Sequence, residues 1–110
     1  MPAVPVDLPP GPRPMVAIVH AKPGHEPQLA NAITILAPAV RAEPGCIEFR
    51  AFRDPANPGA FYLFEVYADT DAFRAHLGTA HVSQFLTEAA QHSTTGAAGL
   101  VHLIELTTQH

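Results

Sequence analysis

The sequence predicts an α+β domain of the ferredoxin-like type, a β-α-β-β-α-β order in which an antiparallel sheet carries helices on one face. Three observations predict it. Four short stretches have strand composition, stretches of helical periodicity separate the first from the second and the third from the fourth, and the middle two strands are joined by the turn formers Asp54-Pro55-Ala56-Asn57-Pro58-Gly59. A length of 110 residues is enough for one domain, and a hydrophobic content of 47% is that of a folded globular chain.

Residues 1–14 hold six of the 12 prolines and read as an extended Pro-rich arm, because proline lacks the N–H that a helix or ladder uses. The folded domain is expected over residues 15–110. Met15 to Ala21 is a short, β-branched apolar run that Pro23-Gly24 interrupts, as expected of a strand buried on both faces. Leu29, Ile33, Leu36 and Val40 then recur at steps of 4, 3 and 4, the stripe of a helix with one buried face. Pro27 falls in the first turn, where the missing N–H costs little, and Glu43-Pro44-Gly45 stops the helix. Pro38, inside the stripe, is its one irregularity.

Cys46 to Arg53 and Phe61 to Tyr67 form a strand pair around the turn. Asp69-Thr70-Asp71 offers caps for a short helix with Phe73, His76 and Leu77 on one face, ended by Gly78. Thr79 caps a second short helix bearing Val82, Phe85, Leu86 and Ala89. Gln91 to Gly99 is polar and small, and Leu100 to Leu106 closes the chain as a strand.

Six Lys and Arg against ten Asp and Glu give a net charge of −4, which argues against a nucleic-acid partner. No window reaches the roughly 18 apolar residues of a membrane span and no signal-peptide order is present at the N-terminus, so a cytoplasmic location is expected. Cys46 is the only cysteine, which excludes an internal disulfide and a multi-cysteine metal cluster. The strand Phe61 to Tyr67 is apolar on both faces, with Phe61 and Leu63 on one and Tyr62, Phe64 and Val66 on the other. Helices cover only one face of such a sheet, so a homodimer, in which a second copy covers the other face, is expected.

Several segments together carry a family resemblance: Lys22-Pro23-Gly24, Arg41-Ala42-Glu43-Pro44-Gly45-Cys46, Arg53-Asp54-Pro55, Phe61-Tyr62-Leu63-Phe64-Glu65-Val66-Tyr67 and His76-Leu77-Gly78-Thr79-Ala80-His81. In this order, over about residues 15–107, the chain resembles the antibiotic biosynthesis monooxygenase superfamily of dimeric α+β barrels. Glu65-x-Tyr67 followed by His76-x4-His81 looks most like the branch of quinol monooxygenases and the autoinducer-2 phosphate processing enzyme. The resemblance implies oxygenation of a small quinol, phenolic or polyketide-like substrate by O2 without flavin or metal. Haem-degrading relatives place a histidine ligand where this chain has Leu86, so no cofactor is expected.

Glu65 is the lone acid of an apolar strand, and burial makes a partner for it necessary. Tyr67 shares its face, so a carboxylate and a phenol point into the same space. His76, on the buried side of its helix, and His81, beside the next apolar stripe, are the candidate general bases, with His76 favoured for its place on that buried face. Structural roles for all four remain open. A zinc site from the two histidines is not expected, because five residues put them about 140° apart on a continuous helix and no third ligand stands nearby. Phe49, Leu63, Phe73, Val82 and Phe85 are expected to line a substrate pocket between the sheet and the short helices. Two other readings use the same parts: an isomerase of a small carbonyl metabolite, and a non-catalytic ligand-binding stress-response barrel.

Overall fold

The structure, a computed structural model, describes residues 8–94 and 99–106. Seven elements follow in order: β1 (Arg13–His20), α1 (Glu26–Arg41), β2 (Cys46–Asp54), β3 (Asn57–Tyr67), α2 (Thr70–Leu77), α3 (Ala80–His92) and β4 (Gly99–His102). The strands pair as one antiparallel sheet in the order β2-β3-β1-β4, the ferredoxin-like arrangement. Among the described residues no helix is long and apolar enough to cross a membrane.

The core lies between one face of this sheet and the helices. Met15, Ala17 and Val19 of β1 and Phe61, Leu63 and Tyr67 of β3 meet Leu29, Ile33, Leu36 and Val40 of α1, with Phe73 and Phe85 from the second helical pair. The spacing of the α1 stripe is therefore the spacing of its contacts. Pro27 occupies the first turn and the helix continues through Pro38 to Arg41.

Three sequence expectations change. First, β1 is not buried on both faces within one chain: Met15, Ala17 and Val19 are buried, whereas Val16 and Ile18 are half-exposed. Second, β1 starts at Arg13, inside the segment read as the Pro-rich arm, because the long Arg13 side chain lies buried in register with Tyr67; residues 1–7 of that arm lie outside the described part. Third, β4 ends at His102 instead of Leu106. The Leu103 N–H donates to the carbonyl of Pro14 at 3.0 Å, but Pro14 has no N–H to return, so the ladder has nothing with which to propagate.

The second sheet face carries Val16, Ile18, Tyr62, Phe64 and Val66, all half-exposed, and the more open Phe52 and Val101. Opposite each other in register are Val16 and Phe64, and Ile18 and Tyr62.

Candidate active site

β3 places Glu65 and Tyr67 two residues apart on the helix side of the sheet, at the C-terminal end of the strand. The Tyr67 hydroxyl donates to Glu65 Oε1 at 2.6 Å. Burial, reinforced by the nearby Glu43 charge, pushes the Glu65 carboxyl up to about 7 although the Tyr67 hydrogen bond opposes it. Burial and the two carboxylates also hold the Tyr67 phenol far above its ordinary range, so it stays a donor.

α2 begins at Asp69, whose carboxylate accepts from the Ala72 N–H at 2.8 Å, and ends at Gly78. His76 lies in its last turn, 6% exposed, its ring tilted 38° against that of Tyr67 with ring centres 4.7 Å apart. Its Nε2 faces Glu65 Oε1 at 3.8 Å and its Nδ1 lies 2.9 Å from Glu43 Oε2. Burial lowers the pKa of His76 despite its hydrogen bond to Glu43.

The chain then breaks instead of continuing as one helix. Thr79 caps α3: its hydroxyl donates to the His76 carbonyl at 2.8 Å and accepts from the Val82 N–H at 3.4 Å. This break overturns the 140° argument. His81, in the first turn of α3, swings back so that its Nε2 lies 2.5 Å from Glu43 Oε2. Five groups form a line from the interior outward: Tyr67, Glu65, His76, Glu43 and His81.

Glu43 is the member that sequence reasoning missed: it stands in the helix stop and in one of the segments that carry the resemblance, but was given no role at the site. A signal existed, since an acid just past the negative end of a helix is electrostatically misplaced unless something else holds it. Its position is set by Gly45, where a Cβ would overlap that of Ala72 in α2, and by the Ala68 N–H, which donates to the Gly45 carbonyl at 2.8 Å. Only glycine lets the α1–β2 turn approach α2 this closely.

Among the described residues, the five residues expected to line a pocket are all buried. Phe49, Leu63, Phe73 and Phe85 interlock in the core and Val82 is buried beside them. One open space lies between α1 and α3, a groove of about 600 Å³ whose walls include Ile35, Leu36, Gln84, Phe85 and His81. A smaller recess of about 360 Å³ runs along β2 past Phe49 and Cys46. Leu63, Phe73 and Val82 line neither. Burial raises the Cys46 thiol pKa, with Glu43 and Glu65 adding to it, which suits an inert packing role.

His102 packs edge-on against Phe73 at 5.6 Å; burial, with Arg13 adding to it, lowers its pKa. Among the described residues neither of its ring nitrogens has a hydrogen-bond partner, nor has Nη1 of Arg13, which is 4% exposed. His92 ends α3 with its Nδ1 3.0 Å from that of His25. As for metals, Glu43, His76 and His81 offer ligand atoms that all lie within 4.8 Å of one another.

Fold and site together define a ferredoxin-like α+β protein with a buried acid-base line that opens into an interhelical groove. The family model for antibiotic biosynthesis monooxygenase matches residues 15–88, and the chain belongs to that family. Among solved structures it is similar to PA3566 from Pseudomonas aeruginosa at 26% identity, with 88% of this chain and 96% of that one covered and a TM-score of 0.82. It is also similar in fold to Rv0793 from Mycobacterium tuberculosis, at 21% identity, 90% and 99% coverage and a TM-score of 0.82. A protein described as an antibiotic biosynthesis monooxygenase matches at 22% identity, 86% and 99% coverage and a TM-score of 0.80. No curated protein matches the chain.

Proposed function

We propose that the protein is a cofactor-independent monooxygenase acting on a small quinol, phenolic or polyketide-like substrate in the groove between α1 and α3. The observation that carries this reading is the line of acid-base groups ending at His81, the member that lines the groove. His81 takes the acidic proton of the substrate at Nδ1, while its Nε2–H donates to Glu43, whose carboxylate holds the imidazolium that forms. The electron-rich anion then combines with O2, and loss of water from the hydroperoxide leaves one oxygen on carbon as a carbonyl. The substrate's own electrons reduce the second oxygen, so the reaction needs no flavin.

The base is thus His81 and not His76, because both ring nitrogens of His76 already face carboxylates and its ring is buried. Tyr67 and Glu65 act from behind: the phenol fixes the carboxylate and the carboxylate faces His76. The apolar outer sheet face supports a homodimer, with the second copy's sheet packed on Phe64, Tyr62, Val16 and Ile18. The same line of groups favours one other reading, since a relay that accepts a proton can return it elsewhere and so isomerise a carbonyl metabolite. Oxygen uptake with a panel of quinols is the deciding test. Uptake that depends on His81 supports the monooxygenase; solvent-deuterium incorporation without uptake supports the isomerase, and neither leaves a binding protein.

A further inference from the structure

Three ligating side chains reach one point from separate stretches of chain: Glu43 after α1, His76 at the end of α2 and His81 at the start of α3. We propose that this triad binds one divalent transition-metal ion of the zinc class, with an open coordination position toward the groove. Two imidazoles and one carboxylate suit Zn2+ or Co2+. The triad provides too few oxygens for Ca2+ and no thiolate for Cu+.

All three ligand atoms lie within 4.8 Å of one another, close enough for side-chain rotation to bring them onto one ion. Bonds of about 2.0–2.1 Å in tetrahedral geometry put ligand atoms roughly 3.3 Å apart. Glu43 Oε2 stands 2.9 Å from His76 Nδ1 and 2.5 Å from His81 Nε2, so the carboxylate has to withdraw by less than its own reach. The surroundings supply a second, independent observation. With Nδ1 of His76 on a metal its proton sits on Nε2, and that nitrogen faces Glu65 Oε1 at 3.8 Å. Glu65 is itself anchored by the Tyr67 hydroxyl at 2.6 Å, so a carboxylate outside the triad is already placed to orient a metal-bound imidazole. An access route exists too, because the His81 side chain is 27% exposed and lines the α1–α3 groove.

Metal binding does not rest on the oxygen chemistry proposed above and opposes it, since an ion on His81 Nε2 leaves the ring proton on Nδ1, the nitrogen that reaction uses as base. The test is a Co2+ titration of tag-free, EDTA-stripped protein, followed by visible absorption and by calorimetry. One equivalent should bind with the intense d–d bands of four-coordinate Co2+, and Zn2+ should displace it. His81→Ala, at the exposed end of the triad, should weaken binding at least 100-fold without loss of helical circular dichroism, and Glu43→Gln likewise. Glu65→Gln should weaken it by roughly 10–100-fold, the usual effect of an outer carboxylate. His92→Ala, which disrupts the other histidine pair, should change nothing. Absence of saturable one-to-one binding overturns the proposal. So does binding that survives His81→Ala and disappears with His92→Ala. Failed Co2+ binding alongside His81-dependent oxygen uptake removes only the metal site; intact Co2+ binding without uptake removes only the monooxygenase.

Discussion

Replacing Glu65 by Gln should stabilise the metal-free protein at high pH and leave its stability unchanged at low pH. The carboxyl is 5% exposed, and burial raises it from 4.5 to about 7. At about 1.36 kcal/mol per pH unit, the ionised form is disfavoured in the folded state by about 3 kcal/mol. The sign follows from proton binding. Between pH 4.5 and 7 the folded chain holds a proton that the unfolded chain releases, so the contribution is fully present below 4.5 and is lost as pH rises through 7. Gln keeps an acceptor for the Tyr67 hydroxyl and cannot ionise. Urea unfolding with EDTA at fixed protein concentration, from pH 4 to 8.5, should give a variant-minus-wild-type difference near zero at pH 4 that grows to about 3 kcal/mol at pH 8. His102, whose pKa burial lowers, makes both proteins lose stability as pH falls below about 6.5 and so cancels from the difference. A flat difference, or a variant less stable at pH 8, would refute the reasoning by showing Glu65 held as a carboxylate by a charged His76.

His81→Ala should lower kcat by roughly 10²–10⁴-fold on any quinol that supports oxygen uptake, the usual worth of a positioned base, while His76→Ala should cost less. Phe64→Lys, at the centre of the outer sheet face opposite Val16, should convert dimers to monomers in sedimentation, and a wild-type monomer at micromolar concentration would contradict the dimer. Thr79→Val keeps the side-chain shape but deletes the hydroxyl that joins the His76 carbonyl to the Val82 N–H. It should cost about 1 kcal/mol in urea unfolding, the worth of an N-cap. It should also reduce kcat by loosening His81 from Glu43.

The elements were legible because each rests on local chemistry. The 4-3-4 stripe of α1, the Asp69 and Thr79 caps and the alternation of β3 all depend on neighbours within a few residues, and the structure uses each as its chemistry suggests. The pairing of Glu65 with Tyr67 was legible for the same reason, since a period of two fixes the shared face. What escaped is non-local. Glu43 is 33 residues from His76 and 38 from His81, and only the tight turn at Gly45 brings it under α2. The groove escaped too, because it is made by the separation of α1 from α3, and no residue pattern encodes a gap. The aromatic residues Phe49, Phe73 and Phe85 pack together in the core, as large apolar side chains do when they can reach one another, and Phe49 and Phe85 also border open space.

The gradient of burial along the line favours the proposed proton transfer at its outer end. Burial raises Glu65 to about 7 and lowers His76, which reverses the usual preference for a carboxylate beside an imidazolium. In so dry a place the pair is held most cheaply as a carboxylic acid facing a neutral ring, because separating charge there is costly. His76 can then donate from Nδ1 to Glu43 without becoming cationic, and Glu43 is oriented toward His81. His81 is the ring with the most solvent, its side chain 27% exposed against 8% for His76, and a carboxylate touches its Nε2. The proposed transfer therefore falls on the more exposed ring, with a carboxylate already against it, at the one histidine of the line that meets the groove.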